Sequence, residues 1–135
     1  MKRIKRMNTD RALIGETGLT EAVIGAAFAV SNTLGCGFLE KVYENALAIE
    51  LRSRGYEVQQ QAPLEVRYKE EIVGIYSADL VVNGQVVVEQ KAVRALDVVH
   101  RAQCMNYLRA SGIRTGLVLN FGLPRLDVLR VQTFH

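Results

Sequence analysis

Residues 78–92, ADLVVNGQVVVEQKA, decide how the chain is read. The run is apolar and β-branched around Asn83-Gly84, the pattern of two buried strands joined by a hairpin turn. Three charges interrupt it: Asp79, Glu89 and Lys91. An unpaired carboxylate or ammonium in such a place costs several kcal/mol, comparable to the whole stability margin of a domain. The three charges therefore need one another or an outside partner.

Position parity decides whether they meet, because side chains on a strand alternate between faces. Glu89 and Lys91 differ by two and share a face. A strict two-residue Asn83-Gly84 loop pairs Val82 with Gln85 and Asp79 with Val88, which sends Asp79 to the face opposite Glu89. A three-residue loop, Val82-Asn83-Gly84, with a left-handed Gly84 in a bulge pairs Asp79 with Val87 instead. Asp79 is then diagonal to Glu89 on one face, about 7 Å away at the backbone. We expect this odd register or an equivalent bulge. Two carboxylates on one face suit a hard divalent cation, with Mg²⁺ (or Mn²⁺) the expected occupant. Such an ion offsets the cost of burying the acids and lowers the pKa of a bound water. Lys91 would orient that water and stabilise charge on a phosphate. An internal salt bridge of Lys91 with Glu89 or Asp79, without metal, accounts for the same three residues.

Outward from this stretch, Thr20 is placed to cap a helix running to about Leu34 that is apolar almost all round. A second helix, FLEKVYENALAIELRSR, ends at Gly55 with Arg52 and Arg54 in its last turn. Its Glu50 lies near the apolar face and calls for a partner such as an arginine. Strands follow: YEVQQQ, an interruption at Pro63, LEVRYKE, IVGIYSADLVV and QVVVEQKA. A third helix spans about Leu96 to Ala110, with His100, Gln103 and Tyr107 on one face. TGLVLNF and LDVLRVQ read as two closing strands. Helices before and after the strands cover both faces of a mixed sheet, which explains why residues 78–92 are apolar on both sides.

The 135 residues, 49% hydrophobic and 23% charged, make one ordinary globular domain, 11–135, behind a basic tail, 1–10. No apolar run is long enough to span a bilayer. MKRIKR lacks the apolar core of a secretory signal, so the expected location is cytoplasmic. The net charge of +3 permits an anionic partner without requiring one. Cys36 and Cys104 lack metal or redox spacing and read as small core residues, and His100 and His135 make no zinc site.

GFLEKVY, residues 37–43, resembles the pattern of the small GxxExxY proteins through Gly37, Glu40 and Tyr43. The resemblance continues through YENALAIEL, APLEVRYK, ADLVV…VVVEQKA, AQCMNYL and TGLVLNFG, over roughly residues 12–132. That family is placed in the PD-(D/E)xK nuclease-like superfamily. The resemblance implies an α/β (α+β) restriction-endonuclease-like fold, a mixed central sheet flanked by helices. It implies Asp79 and Glu89 as metal ligands assisted by Glu40, with Lys91 as the catalytic lysine. Gln103 and Tyr107 match a Q-x-x-x-Y motif and, with Tyr43, are the expected substrate-binding residues. Gln90 stands where the family usually has an apolar residue, Cys36 where a Pro is common, and Ala78 where the superfamily has Pro. The expected function is a Mg²⁺-dependent nuclease acting on nucleic acid, DNA in the first instance. The alternatives are a nucleic-acid-binding module that keeps the fold without turnover, and a protein-interaction module, for example a homodimer.

Overall fold

The structure, a computed structural model, describes the backbone of residues 2–133 and the side chains of residues 18–133. The expected division at residue 10 and His135 lie outside the described side chains. The elements are α1 (Lys2–Leu34), α2 (Glu40–Ser53), β1 (Val58–Tyr68), β2 (Glu71–Val82), β3 (Val86–Lys91), α3 (Val98–Ser111), β4 (Thr115–Asn120) and β5 (Asp127–Gln132). The strands form one sheet in the order β1-β2-β3-β4-β5, antiparallel except for the parallel pair β3 and β4. Helix α3 makes the crossover that a parallel pair requires. This is the expected mixed sheet flanked by helices.

Two apolar clusters place the helices. Tyr43, Leu47, Ala48 and Leu51 of α2 and Val23, Ala26, Ala27 and Val30 of α1 pack with Val86 and Val88. On the other face Cys104 and Leu108 of α3 pack with Val81, Val87 and Val118. Central strands buried from both sides must be apolar on both sides, and β4 is buried at all six positions.

Two expectations about element boundaries change. Helix α1 runs through Thr20, which is buried rather than capping. Strand β1 is continuous through Pro63, which pairs with Ser77. Because β1 is an edge strand, a residue without an N–H fits there as long as the missing donor faces away from β2. Cys36 is exposed, not a core residue, whereas Cys104 is buried. No described helix is long and apolar enough to cross a membrane.

The hairpin between β2 and β3 has a three-residue loop, as expected, but one residue further along. Val82 pairs with Val86, so the loop is Asn83-Gly84-Gln85. Asn83 and Gly84 both take positive φ, 53° and 65°, and Gln85 N–H closes the turn on Val82 O at 2.9 Å. Asn83 also accepts from Glu57 N–H at 2.8 Å, which pins the turn to the start of β1. In this register Asp79 lies opposite Glu89 rather than diagonal to it.

Candidate active site

The backbone ladder between β2 and β3 stops at Leu80↔Val88, one row before the two acids. Their side chains take over its hydrogen bonds. Asp79 N–H donates to Glu89 Oε2 at 3.0 Å, and Gln90 N–H donates to Asp79 Oδ2 at 3.0 Å. Each carboxylate is thus held by backbone of the opposite strand, with little freedom to swing away. Glu89 is only 4% exposed, and burial together with the Asp79 charge pushes its carboxyl up to about 8. Burial also raises Asp79, and the nearby Glu44 adds to the rise. The pair is electrostatically unsatisfied in the form that carries two negative charges.

Lys91 points to the same face, and its field lowers both acids. Yet among the described residues it makes no ion pair with either. Its ammonium donates to Gln103 Oε1 at 3.1 Å. The internal salt bridge that would have explained the three charges is therefore not formed. Gln103 comes from α3, whose start is set by a capping box: Asp97 accepts from Val99 N–H at 2.9 Å and His100 Nδ1 from Asp97 N–H at 3.0 Å. His100 is thus engaged in capping the helix start. Tyr107, one turn beyond Gln103, is raised by burial and by the Glu89 and Asp79 charges. Behind Lys91, the buried Asn120 ties down the chain. It accepts from Val93 N–H and from Gly122 N–H and donates to Val93 O, each at 3.0 Å.

The helical acid at the site is Glu44. Glu40 is exposed at the first position of α2 and, among the described residues, makes no hydrogen bond or ion pair with the two acids. Glu44, one turn further on, is 3% exposed and accepts from Gln60 Nε2 at 2.8 Å and from Gln61 Nε2 at 2.8 Å. Lys41 pairs with it at 3.1 Å. Gln61 also reaches Asp79 Oδ1 at 3.5 Å, so a single amide spans the two acids. It does so from a left-handed backbone, φ 51°, at the position of β1 that faces Asp79. Left-handed conformation at a non-glycine residue is uncommon and stores strain, here beside the carboxylates. The signal for Glu44 was present in the sequence: Glu44, Leu47, Ala48 and Leu51 are spaced i, i+3, i+4, i+7, which puts an acid on the buried stripe. Gln61 carried no such signal.

Tyr43 has no surface for a substrate. It is fully buried, stacked on Phe121 at 4.6 Å between ring centroids. Its hydroxyl donates to Gly35 O at 2.6 Å and accepts from Phe38 N–H at 3.2 Å. It ties the loop between α1 and α2 to the core. Glu50 meets the expected arginine, Arg54 Nε, at 2.7 Å.

Among the described residues no group of three or more His, Cys, Asp or Glu is placed to hold a metal ion. Two carboxylates are present, and that is a donor set Mg²⁺ accepts, because it retains waters and takes further oxygens from phosphate. Glu89 Oε1 has no donor among the described residues, and Asp79 Oδ1 has only the long contact from Gln61. Two hard oxygens with raised proton affinity, carried on adjacent strands, fit a divalent cation.

No curated protein and no solved structure matches the chain significantly. A family model described as the PD-(D/E)XK nuclease superfamily matches residues 17–131. That span includes the sheet up to Val131, all three acids, Lys91 and the helix that carries Gln103, and the chain belongs to the PD-(D/E)XK nuclease superfamily.

Proposed function

We propose that the protein is a divalent-metal-dependent nuclease, using Mg²⁺ or Mn²⁺ to hydrolyse phosphodiester bonds in nucleic acid, with DNA as the first substrate to test. One observation carries this reading. Two opposed carboxylates lie beside an ammonium that is bonded to neither of them. Asp79 and Glu89 would hold the ion, each offering the oxygen that the backbone leaves unengaged. Glu44 adds negative charge behind Asp79 and, through Gln61, fixes the orientation of its carboxylate. When bound, the cation supplies an acidified water and charge stabilisation at phosphorus. Lys91 Nζ, oriented by Gln103, donates hydrogen bonds towards the attacking water or the phosphate oxygens. Tyr107 offers its hydroxyl to the strand being cut.

The test is calorimetric titration with Mg²⁺ and Mn²⁺ of the wild type and of Asp79→Asn, followed by incubation of both with labelled DNA and RNA. Metal binding and cleavage that vanish together in the variant are the expected result. A wild type that binds neither ion and cuts neither polymer would remove the nuclease reading in favour of a binding module.

A further inference from the structure

Between the outer half of the β1–β2 hairpin and α3 lies a cleft of about 880 Å³. Gln103 lines it and also holds the Lys91 ammonium at 3.1 Å, so the cleft opens onto the candidate active site. Its walls are mixed in character. Tyr76 of the hairpin, 55% exposed, meets Tyr107 of α3 with ring centroids 6.3 Å apart and planes tilted by 51°. Val99 adds apolar surface, and Asn106 and Arg109 add polar groups. The other lining arginine, Arg67, is paired with Glu65 at 2.7 Å. Arg109 has no carboxylate partner among the described residues.

We propose that this cleft receives an unpaired nucleic-acid strand, with bases stacking on Tyr76 and Tyr107 and Arg109 meeting a phosphate. The proposal rests on the nuclease reading and narrows it to single-stranded substrate. Ring geometry is the first argument. The Tyr76 and Tyr107 rings, 6.3 Å apart and tilted by 51°, form one aromatic corner that an unstacked base can meet face-on, whereas bases inside a duplex present only their edges. Composition is the second. Aromatic faces with a sparse cation are the parts of a single-strand site, where stacking contributes sequence-tolerant affinity. Duplex binding draws instead on many phosphate contacts, and this cleft has one unpaired arginine. Position is the third: a strand lying along α3 past Tyr107 reaches Gln103 and then Lys91.

The full chain is titrated in EDTA with fluorescent oligothymidylate, its RNA counterpart and a duplex of equal length, read by anisotropy. Single strands should bind at least 10-fold more tightly than duplex. Tyr76→Ala should weaken single-strand binding about 5-fold or more, the effect of one lost stacking partner, while Tyr76→Phe retains it. Arg109→Ala should reduce the slope of log affinity against log salt by about 0.7. The DNA and RNA arms show which sugar is preferred. Duplex binding equal to or tighter than single-strand binding, no single-strand binding, or an unchanged Tyr76→Ala affinity overturns the proposal. Mg²⁺-driven cleavage is scored separately. Cleavage with Tyr76-independent binding breaks this inference alone, and Tyr76-dependent binding without cleavage breaks the nuclease reading alone.

Discussion

The two faces of β3 are built from alternate residues of the same six, yet they solve different problems. Val86, Val88 and Gln90 point under α1 and α2, while Val87, Glu89 and Lys91 point towards α3. On the α3 side every charged group is held: Glu89 by Asp79 N–H and Lys91 by Gln103. On the other side Gln90 is fully buried, and neither its Oε1 nor its Nε2 has a hydrogen-bond partner. The neutral amide is thus less satisfied than the charged acid next to it. Burial of polarity is organised where a ligand is expected and unorganised where only packing is at stake.

The largest expected effect breaks the functional face. Asp79→Asn keeps the shape and removes a negative charge, and Mg²⁺-driven cleavage should fall roughly 1000-fold, in line with the several kcal/mol a metal centre supplies.

Next comes a pH effect on the metal-free protein. Glu89 has its proton affinity raised from 4.5 to about 8 on folding, so the native state binds more protons than the unfolded chain across that interval. Stability must therefore fall as pH rises from 4.5 towards 8, by on the order of a few kcal/mol. Urea midpoints measured in EDTA across this interval test it. Glu89→Gln should flatten the slope, and a slope unchanged in that variant would place the proton elsewhere.

A smaller effect separates positioning from folding. Gln61→Gly removes the amide that spans Glu44 and Asp79 and relieves the left-handed backbone. Mn²⁺ affinity should drop about 10- to 100-fold, as for other groups that orient a ligand, with no loss of thermal stability. The smallest effect sharpens the other face. Gln90→Leu fills the same space without orphaned polar atoms and should stabilise the protein by about 1–3 kcal/mol in a urea titration.

The comparison also shows why some of the site was legible in the sequence. Parity alone put Glu89 and Lys91 together, and an odd hairpin loop brought Asp79 to them. The turn sits one residue later than expected because Asn83 and Gly84 both adopt the left-handed conformation and Gln85 completes the loop. Helix α2 shows the limit of motif reasoning. The GxxExxY pattern drew attention to Glu40 and Tyr43, whereas the buried acid is Glu44, on the stripe that helical phase defines. Tyr43 belongs to the core for the same reason. Gln61 was invisible, since a left-handed glutamine in a strand depends on what the neighbouring strand and helix impose, not on local preference.

Asn120 has a consequence for motion. Residues 92–97 follow Lys91 and belong to no strand or helix, which would ordinarily let them breathe. Asn120 grips Val93 at both its N–H and its C=O, and a Cβ on Gly122 would come within 2.5 Å of Val93, so nothing larger than glycine fits there. In hydrogen exchange the Val93 and Gly122 amides should keep time with the central strands rather than with the loops they stand in. Lys91 is then anchored at a segment that opens only when the whole sheet does.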